Sequence, residues 1–387
     1  MLSIAKGITF LLLFIALPVS GYAEGIPESL KPLYKAKKKE GKRNFVLNAM
    51  EIGVEALKLG DIERATLEFD HALSLIETVY ANDKNAAKAR SLWYDEGAKD
   101  FKGESYERAM AYYYRALLYL INAEYDNAYA SMNAGLFQDQ LSEEEEYQQD
   151  FALLMLIQGW AATKMGRAPL ADEAYADLKK VRPKSKRPSS KHNLLVLVET
   201  GKSPRKLGDG VGHYELVYRR GKKFTEQKAA AYLPNESSIK LTPVEDIYWQ
   251  AATRGGRMVD RVIEGKVNFR NNTNKIGDFA SNVGGLGVVV APIVQSSSDA
   301  TAGLAGLSVL GAGAKWLAAR AKVKADTRYW SNLPDKVHYA TMNAPRSWDK
   351  ISVTYYDDNG AKVEGLDRHA KIYWDKHGNG VAWVKSR

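Results

Sequence analysis

Histidines, nucleophilic serines and cysteines are the side chains most able to do chemistry, and their spacing in this 387-residue chain does not build a catalytic or metal site. There is no Gly-x-Ser-x-Gly motif, and the glycine-rich stretch Gly208–Gly212 lacks the strand and helix that a phosphate-binding loop needs. The chain has no cysteine, which excludes thiol catalysis and thiolate metal ligands. We therefore predict a non-enzymatic protein without a cofactor or metal. The six histidines show no metal-binding spacing: His71, His192, His213, His338, His369 and His377.

Aromatic and charged residues in two motifs are the candidate ligand-binding groups. The stretch 101–108 precedes a tyrosine-rich helical pattern, and the stretch 326–330 precedes Leu333-Pro334. Only one or two of the three consecutive tyrosines at 112–114 can face a core at helical spacing, so another can line a groove. The alternative is structural, with the arginine of the second motif paired to a carboxylate and its indole packed. The candidates are Tyr106, Glu107, Tyr112, Tyr113, Tyr114, Arg328 and Trp330.

Charge divides the chain into two halves. The net charge is +9, yet residues 24–181 contain 20 basic and 27 acidic residues, whereas residues 182–387 contain 34 basic and 19 acidic residues. Either the two halves face one another, or the basic half meets an anionic partner.

The N-terminus predicts export. Lys6 precedes the apolar run Ile8–Leu17, and small residues follow up to Ala23, which is typical of a signal peptide over 1–23. An uncleaved membrane anchor is the alternative. We expect a periplasmic protein, and a nucleic-acid partner is not expected after export. The basic arm 24–43 predicts a solvated segment, with peripheral membrane contact as the alternative.

Residues 44–181 show a helical repeat pattern. Gly60 is suited to end a helix and Asp61 to cap the next, while Ala65, Phe69 and Ala72 share one helix face. The same offsets recur after Ala123 and Gly166, and Ser142–Glu145 is typical of a capping box. These positions resemble the tetratricopeptide repeat (TPR) family. The resemblance implies about seven helices in pairs, whose concave face holds a protein, a peptide or another domain.

Beyond a basic linker at 182–192, the pattern changes to that of an α+β domain over 193–387. Asn193–Glu199 is typical of a buried strand, and two hairpins are predicted around Asp358–Gly360 and His377–Gly380. A helix is predicted over Pro243–Glu264. We therefore predict the α+β class, with an irregular TPR-like helical domain followed by a domain with antiparallel hairpins.

A glycine- and alanine-rich segment at 283–319 has two apolar arms, and each is shorter than the roughly 20 residues of a membrane span. It predicts an internal helix pair, with a hairpin that enters a membrane or assembles into a ring as the alternative.

Three motifs in order, at 101–108, 196–206 and 326–334, are similar to an uncharacterised family of proteobacterial envelope proteins with a TPR-like first half. Many members of that family are lipoproteins, and this chain lacks the cysteine that would carry the lipid. The resemblance brings no reaction with it. We expect an exported scaffold or adaptor whose helical half binds a protein or peptide and whose basic half meets an anionic envelope component. A membrane-associated assembly component that uses segment 283–319 is the alternative.

Overall fold

The structure is a computed structural model that describes residues 25–81, 100–140, 150–209, 215–235, 237–253 and 326–387. The predicted signal peptide, the capping box at Ser142–Glu145 and the glycine-rich segment 283–319 lie outside the described residues.

The first half consists of helices that pack mainly on their neighbours in sequence. Several of them bury one apolar face, whereas the helices Ser105–Ile121 and Ala152–Lys164 are buried on nearly all sides. Within the described residues there are seven: α1 (Lys31–Glu40), α2 (Phe45–Lys58), α3 (Ile62–Ala81), α4 (Ser105–Ile121), α5 (Tyr125–Gln140), α6 (Ala152–Lys164) and α7 (Ala168–Val181).

Three of the helix pairs share one turn geometry. Gly60, Ala123 and Gly166 each have positive φ, at 77°, 61° and 71°. In each turn this residue donates to the carbonyl three positions earlier, and the next residue donates to the carbonyl five positions earlier. This pattern satisfies the last carbonyls of a helix and reverses the chain. The recurring offsets in the sequence therefore correspond to one structural unit used three times.

Each unit also has the same packing core. Seven positions before the turn residue lies a small residue, and nine positions after it lies a large one. A Cβ on Gly53 would lie 2.7 Å from the Phe69 ring, and a Cβ on Gly159 would lie 2.5 Å from the Tyr175 ring. The middle unit has Ala116 and Met132 at these positions, both fully buried.

The described part of the second half contains one sheet of eight strands and a separate two-stranded sheet. The order in the large sheet is β5-β4-β8-β9-β10-β1-β7-β6, and only the β1–β10 pair is parallel. The small sheet pairs β2 with β3. The strands are β1 (Leu194–Thr200), β2 (Arg205–Asp209), β3 (Glu215–Arg219), β4 (Lys228–Tyr232), β5 (Ser238–Lys240), β6 (Thr242–Asp246), β7 (Lys336–Met342), β8 (Lys350–Tyr356), β9 (Arg368–Trp374) and β10 (Gly380–Lys385), with one short helix, α8 (Ile247–Ala252).

The large sheet separates two apolar cores. On one face Leu195 and Leu197 of β1 pack in the same core as the helices. On the other face Val196 of β1 shares a core with Ala229 and Ala231 of β4, although three strands separate β1 from β4 in the sheet. The sheet is therefore curved, and its two ends approach each other.

The α+β class is confirmed, and both hairpin regions contain paired strands. β9 and β10 form a hairpin through Gly378, which has a φ of 82°. β8 instead pairs with β9 across residues 357–367, so the turn at Asp358–Gly360 lies within a longer connection.

One sequence prediction is wrong in the described residues. Pro243–Asp246 belongs to strand β6 rather than to a helix, and the helix that follows is Ile247–Ala252, while positions 254–264 lie outside the described residues. Proline fits this position because β6 is an edge strand with an irregular register after Pro243.

The basic arm contains helix α1, on which Lys35, Lys38 and Lys39 are exposed. It is docked through the buried Leu30, which precedes the helix, and through Tyr34, whose hydroxyl donates to Glu68 at 2.9 Å.

Candidate functional site

The candidate residues predicted from sequence lie in the joint between helices and sheet. Six of the seven are buried, with at most 5% of any side chain exposed: Tyr106, Glu107, Tyr112, Tyr113, Tyr114 and Trp330. All three consecutive tyrosines face the interior: Tyr112 packs among the helices, where its hydroxyl donates to Glu77 at 2.8 Å, and the sheet covers Tyr113 and Tyr114. These side chains therefore contact protein in this structure, and their binding of a ligand stays a prediction.

The centre of the joint is the carboxylate of Glu199 on β1. It accepts hydrogen bonds from the hydroxyls of Tyr113 at 3.1 Å and Tyr114 at 2.8 Å. It also accepts from Trp383 Nε1 at 2.8 Å and lies 3.4 Å from Lys385 Nζ. Burial, followed by the nearby Glu199 charge, raises the pKa of both tyrosines well above the usual value. The tyrosines are therefore neutral donors that stabilise a buried carboxylate.

A second buried carboxylate, Glu107, connects the two predicted motifs. It accepts a hydrogen bond at 2.7 Å from the backbone N–H of Glu104, at the start of its own helix, and another at 2.6 Å from the backbone N–H of Trp330. Burial raises its pKa to about 7, although Lys206 and the Trp330 amide act in the opposite direction. The indole of Trp330 lies against Phe69 and Tyr114, with ring centroids 6.1 and 5.6 Å apart.

Arg328 forms the predicted carboxylate pair. Its guanidinium contacts Asp326 at 2.7 Å and also donates to Asn44 Oδ1 at 2.7 Å and to Arg43 O at 3.1 Å. This arrangement fits the structural interpretation of the motif, since the arginine holds residues 326–334 against the start of α2.

A cleft opens where the two ends of the curved sheet approach each other, and we call it the sheet-gap cleft. Its volume is about 750 Å³. Lys336 Nζ of β7 donates to Gln227 Oε1, just before β4, at 2.7 Å, which ties the two ends together. The cleft is lined by Arg182, Gln227, Lys228, Ala229, Lys240, Leu241, Pro243, Val244, Glu245, Asp246, Trp249, Lys336, His338 and Asp358.

Two of the three carboxylates in the sheet-gap cleft are bound by protein groups. Glu245 accepts from Arg182 Nη2 and Gln250 Nε2, each at 3.0 Å, and from Leu153 N at 3.2 Å. Burial raises its pKa to about 7, against the effect of Arg182. Asp246 caps α8 and accepts from Arg220 Nη2 at 2.8 Å.

His338 lies in the wall of the cleft with 2% of its surface exposed. Its Nε2 lies 3.1 Å from the Thr200 hydroxyl, and its Nδ1 has no protein partner among the described residues. Burial, with a smaller effect from Lys336, lowers its pKa to about 4, so the imidazole is neutral at pH 7.

Sequence reasoning missed the cleft, since its residues come from six separate segments between Arg182 and Asp358. The sequence feature nearest to the cleft is Pro243 with its charged neighbours, and that pattern predicts the start of a helix rather than a strand that lines a cleft. Only the strand order brings β4 and β6 to opposite sides of one opening.

Searches against family profiles, curated proteins and solved structures find no match to this chain. Across the described ranges, no helix is both long and apolar enough to cross a bilayer. The same part of the chain contains no group of three or more side chains placed to hold a metal ion.

Proposed function

We propose that this protein is an exported, non-enzymatic scaffold or adaptor of the bacterial cell envelope that docks to an anionic component through its basic second half. The signal-like residues 1–23 support export. The resemblance to envelope proteins supports the location, and the absence of catalytic motifs in the sequence supports a binding role.

The observation that carries the proposal is how few of the basic residues are neutralised by the acidic half. Among the described residues, two ion pairs join the halves, Lys206 with Glu104 and Arg187 with Asp172. The other polar contacts of the joint are hydrogen bonds, such as those of Glu199 and Glu107. Other cations pair with carboxylates of the basic half itself, such as Arg182 with Glu245 and Arg387 with Glu226. The cations outside these pairs are available to an anionic partner.

A group of these cations lies at the base of the β2–β3 hairpin, and we call it the hairpin patch. Arg205 and Arg219 are directly opposite each other in the register, and both guanidinium groups donate to backbone carbonyls. Like charges opposite each other destabilise a sheet, and an anionic partner would relieve this repulsion. The patch consists of Lys202, Arg205, Arg219, Lys222 and Lys223, none of which forms an ion pair within the described part of the chain.

The test is envelope fractionation with matched charge variants. The triple variant Arg205→Glu, Arg219→Glu and Lys222→Glu removes the patch. The control variant Lys184→Glu, Lys350→Glu and Lys376→Glu makes the same charge change at other exposed positions. We expect wild type and control to stay with the membranes at low salt and to leave in high salt, and the patch variant to be soluble at both.

Equal retention of the two variants would contradict docking through the patch. Retention of wild type through high salt and alkaline carbonate, with release only by detergent, would favour the alternative function, a membrane-associated component that uses segment 283–319. A protein that co-purifies with wild type would then be mapped against the helical half, where a protein or peptide partner stays a prediction.

A further inference from the structure

The sheet-gap cleft has the size and location of a ligand site. A volume of about 750 Å³ falls within the roughly 300–1,000 Å³ of sites for drug-sized ligands. Such sites are frequent at the mouths of curved or closed sheets, where strand ends leave an opening into the interior. The cleft lies at the sheet edge: Ala229 and Leu241 belong to the core on the face opposite the helices, whereas Val244 belongs to the helix-facing core.

One wall of the cleft is apolar. Ala229, Leu241 and Val244 have between 2% and 6% of their surfaces exposed, and Pro243 and Trp249 extend this wall towards the opening. Contact with such a wall favours a hydrocarbon chain over a fully polar ligand, because binding removes apolar surface from water.

The polar groups of the cleft favour a negative charge. Arg182 is paired with Glu245, and Asp246 is paired with Arg220, so neither carboxylate is available to neutralise the lysines. Three lysines remain in the lining against one further carboxylate: Lys228, Lys240 and Lys336 against Asp358. Lys228 donates to the backbone carbonyl of Asp358, so the two are close, and the positive excess lies with the other two lysines.

His338 supplies a polar atom inside the cleft. Its Nε2 contacts Thr200, and its Nδ1 has no partner among the described residues. When the Thr200 hydroxyl donates to Nε2, the ring proton lies on Nδ1, which can then donate to an anionic oxygen.

We propose that the sheet-gap cleft binds an amphipathic organic anion, namely a single acyl chain with a carboxylate or phosphate head group. The chain lies on the wall of Ala229, Leu241 and Val244. The head group lies near Lys240, Lys336 and His338. This proposal is independent of the hairpin patch, which shares no residue with the cleft.

Calorimetric titration of the protein lacking residues 1–23 tests the proposal, with each compound kept below the concentration at which it forms micelles. Dodecanoate and dodecyl phosphate carry the two anionic head groups, dodecanol carries a neutral one, and dodecyltrimethylammonium carries a cationic one. We expect one anion per chain, weaker binding of dodecanol and no binding of the cation. Preference between the two anions distinguishes a fatty acid from a phosphate-bearing lipid as the source of the ligand.

Charge and shape variants assign binding to the cleft. Lys240→Glu with Lys336→Glu should weaken anion binding by about tenfold or more, because two charges near the head group are reversed. Lys350→Glu with Lys376→Glu, an equal charge change outside the cleft, should leave it unchanged. Pro243→Trp, at an exposed edge position, should weaken all chain binding by obstructing the opening.

Three results would overturn the proposal. These are no saturable binding of either anion, equal affinity for the anionic and cationic compounds, and anion affinity that is the same in the cleft variant and its control. Circular dichroism of each variant confirms that it is folded before its affinity is interpreted.

Discussion

The two faces of the large sheet bury polar groups in different ways. On the helix-facing side, Glu199 on β1 is surrounded by four donors from the protein itself. On the other side, His338 on the adjacent strand β7 lines the sheet-gap cleft and has one hydrogen-bond partner, Thr200, among the described residues. A satisfied buried group fixes the arrangement of two layers, whereas a group with unused hydrogen-bonding capacity is available to a ligand. The difference separates the structural joint from the proposed binding site.

The largest expected effect is at Glu199. Glu199→Leu leaves two tyrosine hydroxyls, the Trp383 indole and the Lys385 ammonium buried without their acceptor. We expect a loss of about 3–5 kcal/mol in the free energy of unfolding, measured by urea denaturation. Glu199→Gln, which keeps one acceptor oxygen, should lose less. Equal small losses in both variants would show that the joint does not depend on this carboxylate.

The next effect is the pH dependence of stability, which should have opposite signs for Glu107 in the joint and His338 in the cleft. The pKa of Glu107 is raised to about 7, so the folded state binds the extra proton and stability falls as pH rises from about 4.5 to about 7. The pKa of His338 is lowered to about 4. Its stabilising contribution to the free energy of unfolding is therefore fully present above about pH 6.5 and is lost as the pH falls towards 4. Each contribution is on the order of 3 kcal/mol.

The two contributions oppose each other in the same pH window, so variants separate them. Relative to wild type, Glu107→Gln should lose stability on acidification from pH 7 to 4.5, and His338→Gln should gain it. Urea midpoints at both pH values give the comparison. If the pH dependence of either variant is parallel to wild type, its shifted pKa does not contribute to stability.

A smaller effect concerns the repeated helix pairs. Gly159→Ala and Gly53→Ala place a Cβ against the Tyr175 and Phe69 rings, so each should cost about 1–2 kcal/mol after the gain in helix propensity. Tyr175→Leu in the Gly159→Ala background should recover part of the loss, because it removes the obstructing ring. Ala116→Gly, at the corresponding position of the middle pair, should cost about 1 kcal/mol or more, because it lowers helix propensity and removes a buried methyl group. Unchanged stability in both Gly53→Ala and Gly159→Ala would contradict the shared packing geometry.

The smallest expected effect is at the turn of the middle pair. Ala123 has a φ of 61°, which costs a residue with a Cβ about 1 kcal/mol, so Ala123→Gly should stabilise the protein by about that amount. Gly166→Ala, where no atom lies within 4 Å of the added Cβ, should destabilise the protein by a similar amount. The unfolding temperatures of both variants test these two expectations. A lower unfolding temperature for Ala123→Gly than for wild type would contradict the shared turn geometry.

The helix pairs could be predicted from the sequence because the residues that form each turn and each buried face are close together in the chain. The offsets around Gly60, Ala123 and Gly166 indicated the three turns, and the positions of Ala65 and Phe69 indicated the buried face. The α+β class followed from the change in periodicity after residue 192.

The site could not be predicted in the same way because it depends on partners distant in sequence. The pattern at 112–114 allows one or two tyrosines in the core, and a third is buried only because the sheet packs on the remaining face. Likewise, Pro243 and its neighbours have helical periodicity, but pairing with β7 makes them a strand. Tertiary packing overrode local preference in both regions.

The parallel pairing of β1 with β10 has a consequence for synthesis of the chain. Leu194 is opposite Gly380, so the two central strands can meet only after the ribosome has added 186 further residues. The helix pairs, whose contacts are between neighbours in sequence, can form long before that. During this interval the apolar residues of β1 and the tyrosine face of α4 lack their final cover, which leaves the incomplete chain prone to aggregation until β10 is made.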